Sequence, residues 1–169
     1  GSIGKAIDCG AEVFQNKFIP VLGGSPSLGR YCVFGNLFAR MGIGSSGKIY
    51  RLDRHPSMCK HPVTPADESD LRLHIGKQTT KKIGLIDLVQ MQKPAAEWKG
   101  VLTYEEVVLL DAMHETQLTS IGEWIAGLDE SKTVFSVGGS GVEAALGSYW
   151  NEKGLLHPVI EWKQPAKAE

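Results

Sequence analysis

Long hydrophobic runs are missing from this chain of 169 residues. A membrane-crossing helix needs roughly 18 consecutive apolar residues, and no segment approaches that, so no membrane partner is expected. The opening GSIGKAIDCG has none of the uninterrupted apolar core of a secretory signal. Excess charge is missing too: 18 Lys and Arg stand against 19 Asp and Glu, for a net charge of −1. A nucleic acid or an anionic surface therefore has no overall field to follow. Lys81 and Lys82 are an isolated basic pair with no aromatic residues interleaved, which removes nucleic acid from the expected partners. Cysteine is scarce, and Cys9, Cys32 and Cys59 are an odd set without paired spacing. That argues against a disulfide framework and against a zinc site; no metal is expected in the chain, and the compartment expected is the reducing cytoplasm.

A phosphate-binding loop is also missing, by one residue. In GIGSSGKIY, Gly42, Gly47 and Lys48 fit the G-x-x-x-x-G-K-[ST] spacing, but Ile49 stands where a hydroxyl would hold magnesium. The context is wrong as well, because Ile49, Tyr50, Arg51 and Leu52 read as a strand rather than a helix. The segment is expected to be a Gly/Ser turn between two strands.

What is present alternates in type. Residues 2–16 set Ile3, Ile7, Ala11 and Phe14 at helical spacing, with Ser2 placed as a cap. FIPVLGG reads as a short buried strand, SPSLGRYCVFGNLFARM as a loop and an extended hairpin arm, and KIYRL as its return. DRHPSMCKHPVTPADESD holds three prolines without periodicity, a loop of the length usually kept for function. Three units follow: helix DLRLHIGKQT with strand IGLID, strand EVVLLDA with helix ETQLTSIGEWIAGLD, and strand TVFSVGG with helix SGVEAALGSYWNEKG. Strands separated by helices predict an α/β fold, a mostly parallel sheet covered by helices, here with a β-hairpin arm and a long Pro-rich loop. The stripe Ile121, Trp124, Ile125 and Leu128 is expected to be core. The tail HPVIEWKQPAKAE turns polar, like a linker.

Open parallel sheets place ligands beyond the carboxyl ends of their strands. Three ends qualify: Asp87 closing IGLID; Asp111 with His114 and Glu115 after VVLL; and GGSG before the last helix, where Ser140, Gly141 and their neighbours offer backbone donors to an anion. The alternative there is a tight turn with Ser140 as N-cap and Glu143 completing a capping box. Asp111 can equally cap the helix that follows it. The Pro-rich loop gathers Arg54, His55, His61 and Asp67, and Arg30 lies upstream after a glycine. Such cations suit a small carboxylate or phosphate, because Arg offers a two-pronged fork and His a donor.

Three separated motifs carry a family resemblance: SPSLGRYCVFGNLFAR, RHPSMCKHPVTPADESDLRLHIGKQT and VFSVGGSGVEAAL. In this order they resemble the amino-terminal domain of the four-carbon acid sugar kinase family, from Ser2 to about Trp150. The resemblance implies a two-domain enzyme that uses ATP and Mg2+ to phosphorylate a terminal hydroxyl of a sugar acid such as threonate, erythronate or an oxo-tetronate. Residues 1–155 would be a partial acid-binding domain, and 156–169 the start of a linker to a nucleotide-binding domain. The chain lacks the family's A-D-D-x-T-G-A and D-S-x-P stretches, so it is expected to be a fragment, inactive alone, with the nucleotide bound mainly elsewhere. The resemblance implies Arg30 for the substrate carboxylate and Asn36 for a hydroxyl. His55 and Asp67 would close over the acid or meet the other domain, and Ser140 and Gly141 would be anion donors. Asp111 is the one strand-end substitute for the catalytic base, whose natural place is the missing A-D-D stretch. A homodimer is compatible with this picture. The competing expectation is a non-catalytic α/β ligand-binding or interaction module.

Overall fold

The computed structural model describes residues 2–42, 47–129 and 131–157. The chain runs α1 (Ile3–Phe14), β1 (Ile19–Leu22), β2 (Arg30–Val33), β3 (Asn36–Arg40), β4 (Ile49–Arg51), α2 (Leu71–Gly76), β5 (Ile83–Ile86), β6 (Val107–Leu110), α3 (Leu118–Ala126), β7 (Val137–Gly138) and α4 (Ser140–Glu152). A four-stranded sheet has the order β5-β6-β1-β7, and every pair in it is parallel. A second, antiparallel sheet of β2, β3 and β4 forms the hairpin arm. The expected α/β class therefore holds.

The parallel sheet is buried on both faces because its central strands are apolar at every position, which is what helices on both sides require. Alternate residues divide between two cores. Leu22, Ile86, Val108 and Leu110 face Ile121, Trp124, Ile125 and Ala145 of α3 and α4. Ile19, Val21, Val107 and Leu109 face Ile7 of α1, Ile75 of α2 and Cys32 of the hairpin. The stripe assigned to the core is core: Ile121, Trp124 and Ile125 are buried, and Leu128 packs against them.

Several local expectations change. Ser2 precedes α1 but makes no side-chain cap bond. TVFSVGG contracts to the two residues of β7, because Phe135 is drawn onto α1. Its ring stacks on Phe14 with centroids 5.4 Å apart, and its N–H donates to the Asn16 side chain at 2.9 Å. The stretch after β5, which periodicity leaves unassigned, forms 3-10 turns at Gln90–Gln92 and Ala95–Val101. They set Trp98 into the core, its indole donating to the Lys93 carbonyl at 2.9 Å. The Pro-rich loop is ordered by 3-10 turns at Leu52–Arg54 and Met58–Lys60. Among the described residues no helix is long and apolar enough to cross a membrane. The tail assigned as a linker lies, from residue 158 on, outside the described residues.

Candidate functional site

The hairpin is fixed to the parallel sheet by one carboxylate. Asp111, at the end of β6, is fully buried. Its Oδ2 accepts the N–H of Phe34 at 2.6 Å and of Leu88 at 3.2 Å, and its Oδ1 accepts the N–H of Gly35 at 2.9 Å. Phe34 and Gly35 form the two-residue hairpin turn, with φ of 48° and 80°. Positive φ at both positions is what such a turn needs, and it is unusual for a bulky residue like Phe34; the Asp111 bonds hold it there. Next to them Cys32 and Ala112 exchange backbone hydrogen bonds of 2.9 and 3.0 Å. Burial pushes the Asp111 carboxyl above its ordinary value, against the pull of the three N–H groups and the Cys32 thiol. Burial, with Asp111 beside it, pushes the Cys32 thiol well up, so it stays protonated. With its oxygens held on backbone donors, Asp111 does structural work, and it is not among the residues that line the cavity beside the hairpin arm.

A cavity of about 920 Å³ opens beside the hairpin arm, lined by Pro26 to Tyr31, Arg40 to Gly42, His55 and Ser57. Arg30 and His55, both named from sequence, meet here. Among the described residues no carboxylate pairs with Arg30, whose guanidinium donates to the Leu28 carbonyl at 3.4 Å. His55 is 6% exposed. Its Nδ1 accepts the N–H of Ser57 and of Met58, both at 3.3 Å. A neutral ring so held carries its proton on Nε2. Tyr50 meets the ring edge-on, with centroids 5.7 Å apart. The second His-Pro repeats the device: His61 Nδ1 accepts Val63 N–H at 3.4 Å and Thr64 N–H at 3.0 Å, but it is exposed and outside the cavity. The paired H-P-x-x spacing is a sequence signal for these caps.

The remaining candidates lie elsewhere. Asn36 bridges the arm, donating to the Phe34 carbonyl at 3.2 Å and accepting from the Ser69 hydroxyl at 2.8 Å. Asp67 is exposed, 3.8 Å from the Lys77 ammonium. Asp87 caps its own turn, accepting the N–H of Val89 and Gln90 at 2.9 and 2.8 Å. Ser140 and Gly141 open α4, whose N-cap is Gly139 without any side-chain cap bond. The Ser140–Glu143 capping box therefore does not form. The α4 N-terminus packs so closely on the loop after β1 that a Cβ at Gly141 would lie 2.1 Å from the Gly24 carbonyl oxygen. It thus abuts the chain leading into the cavity wall without lining the cavity.

Sequence reasoning missed Tyr31 and Arg40, although both stand in a quoted motif. Hairpin register pairs Tyr31 with Phe38, so Arg40, two residues on, shares Tyr31's face. The near phosphate loop joins antiparallel β3 to β4, with Met41 N–H donating to the Lys48 carbonyl at 3.0 Å; residues 43–46 lie outside the described residues. With a strand on either side, the segment lacks the helix whose N-terminus would receive a phosphate, so the spacing of Gly42, Gly47 and Lys48 does not make a phosphate-binding loop. Among the described residues no three His, Cys, Asp or Glu side chains gather to hold a metal ion.

A family model for a sugar-binding N-terminal domain matches residues 1–146. A 3-oxo-isoapionate kinase of Paraburkholderia graminis is 40% identical over 163 residues, which are 94% of this chain and 33% of the kinase. The chain thus spans about a third of the length of that relative. Among solved structures, a Haemophilus influenzae protein superposes with a TM-score of 0.74 at 22% identity, over 92% of this chain and 35% of its own. A Bordetella bronchiseptica domain of unknown function, a domain-swapped dimer with bound citrate, gives a TM-score of 0.62 at 21% identity, over 89% and 33%.

Proposed function

The chain belongs to the family of sugar-binding N-terminal domains, and from that premise we propose that it is the acid-holding part of an ATP-dependent sugar-acid kinase. The observation that carries this is the cavity itself, where Arg30, Arg40 and the buried His55 all line the wall and, among the described residues, no Asp or Glu does. Such a wall suits an anion. The 40% identity to a 3-oxo-isoapionate kinase supports kinase chemistry and widens the substrates worth testing from four-carbon acids to 3-oxo-isoapionate.

In this reading Arg30 takes the substrate carboxylate and His55 donates to a second oxygen, which orients the acid for transfer. Phosphoryl transfer asks chiefly for in-line positioning and for charge stabilisation. Positioning is what these residues supply. ATP and Mg2+ belong mainly to parts of the enzyme outside this chain, since the spacing of Gly42, Gly47 and Lys48 does not make a phosphate-binding loop. The base that deprotonates the hydroxyl is also placed outside, because Asp111 is enclosed and held by three N–H groups. Alone, the chain binds acid and transfers nothing. An ATP-using enzyme with free thiols at Cys9, Cys32 and Cys59 is assigned to the cytoplasm.

The test is ADP release by the full-length gene product on threonate, erythronate, oxo-tetronate and 3-oxo-isoapionate, with Arg30→Ala alongside. Removing a charge-assisted hydrogen bond of about 1.5–3 kcal/mol raises KM by roughly ten- to a hundredfold. Release with one acid and a raised KM in the variant bear the reading out. A folded full-length product that releases ADP with none of them is a binding module instead.

A further inference from the structure

We propose that Phe34, Val89 and Met113 form a docking surface for the C-terminal part of the full-length polypeptide, with the Phe34 ring seated in an apolar recess on that part. The choice of occupant rests on the reading that the nucleotide and the base lie outside this chain.

Phe34 suits its place only if something covers it. A two-residue hairpin turn with positive φ at both positions is at home with Asn-Gly, whereas Phe34, at φ of 48°, sets a bulky side chain on backbone that disfavours one. Strain of this kind persists where the surroundings over-determine it, and it gathers at functional sites. Here Asp111 supplies the constraint, accepting the Phe34 N–H at 2.6 Å. The ring gains little within the chain: it is 51% exposed, and among the described residues it joins neither core and pairs with no other ring.

Two more exposed apolar residues stand around the same carboxylate. The Leu88 N–H shares Asp111 Oδ2 with Phe34, and Val89, the next residue, is 64% exposed. Met113, two residues beyond Asp111, is 40% exposed. Both sit on backbone that a side chain holds, the Val89 N–H donating to Asp87 at 2.9 Å and the Met113 N–H to the Gln117 side chain at 2.8 Å. Exposed apolar residues grouped in this way mark an interaction site. Residues fixed before contact lose little freedom on docking, and a buried aromatic is a common anchor.

The C-terminal part is the occupant that fits. The family is one of N-terminal domains, and the chain spans 33% of its kinase relative, so the greater part of that relative lies outside the match. The surface gathers at the carboxyl ends of β5 and β6 and at the hairpin tip, the side on which open α/β sheets meet their ligands. Phe34 follows directly on β2, whose first residues, Arg30 and Tyr31, line the cavity. A body seated on the tip therefore stands on the same arm as the acid, where a part that carries ATP has to come for in-line transfer.

The experiment is hydroxyl-radical footprinting of the full-length gene product without ligand, read by mass spectrometry, with exposed Tyr104 and Trp150 as internal references. Wild type is compared with Phe34→Gly and Phe34→Asn, both of which suit the turn, and thermal melts confirm folding. In wild type, Phe34 and Met113 are labelled at least about fivefold more slowly than their exposure in this chain would give, because an interface core packs like a protein interior. Either variant raises Met113 labelling about threefold or more with the fold kept. Phe34 and Met113 labelled as freely as the references overturn the inference. So does protection lost on dilution, the mark of a second copy, or protection of Met113 that survives both variants. ADP release on the same preparation tests the kinase reading separately: release with a freely labelled Phe34 leaves that reading standing, and no release with any acid overturns it whatever the footprint.

Discussion

The sequence offers Asp111 as the one strand-end candidate for a catalytic base and Arg30 for a substrate carboxylate; the structure encloses the first among backbone donors and leaves the second on the cavity wall. Asp111 fixes the hairpin turn, the Cys32 edge and the Leu88 backbone to the end of β6. Replacing it by Ala strands the buried N–H of Gly35 and the part-buried N–H groups of Phe34 and Leu88; a buried unsatisfied donor costs about 1–3 kcal/mol, and a part-buried one that water can reach costs less. Urea unfolding should register a loss of about 2 kcal/mol or more. Burial raises its carboxyl above the unfolded value, so folding favours the neutral form. That contribution is whole below the ordinary aspartate value of about 3.9 and is lost as pH rises through the folded value. The stability gap between wild type and Asp111→Asn should therefore narrow from about pH 4 toward neutrality. A gap that widens over the same range would mean that the N–H donors outweigh burial. Arg30 stood out in the sequence as a cation after a glycine and His55 as a donor in a proline-stiffened loop, and both line the cavity. Tyr31 and Arg40 did not stand out, because their contact exists only once the hairpin register sets them on one face.

Among the elements, the parallel strands and their helices were legible wherever apolar runs ended in turn residues: β1, β5, β6, α3 and α4 all fall within the expected segments. What escaped was tertiary in cause. TVFSVGG has the composition of a full strand, yet Phe135 packs on Phe14 of α1 and leaves β7 two residues long. Trp98 is placed by 3-10 turns that carry no periodic signal. The contact between α3 and α4 makes a paired prediction. A Cβ at Gly122 would lie 2.1 Å from the Ala145 carbonyl oxygen, whereas one at Gly147 meets nothing within 4 Å. Gly122→Ala should force the helices apart at a cost of about 1–3 kcal/mol. Gly147→Ala should gain about 0.5–1 kcal/mol from helix propensity. Thermal melts of the two variants check both signs at once, and equal shifts would contradict the packing described.

At the scale of the whole molecule, two places among the described residues carry donors that suit an anion. One is the cavity beside the hairpin arm, with Arg30, Arg40 and His55; the other is the N-terminus of α4 at Ser140 and Gly141, beside Gly24. The cavity brings side-chain cations and a buried donor, while the helix end brings backbone donors and a partial charge of about half a unit. Full charges and fixed forks win for a carboxylate, which is why the account places the acid in the cavity. The family to which the chain belongs is one of sugar-binding domains, and the three motifs read from the sequence fall on the arm, the Pro-rich loop and the start of α4, so both places carry motif residues. The direct test is an amide-resolved NMR titration of the 15N-labelled chain with threonate and with 3-oxo-isoapionate. The account predicts saturable shifts at Gly29, Arg30, Tyr31, Arg40 and Ser57, all abolished by Arg30→Ala. Shifts confined to Gly139, Ser140, Gly141 and Val142, unchanged in that variant, would contradict it.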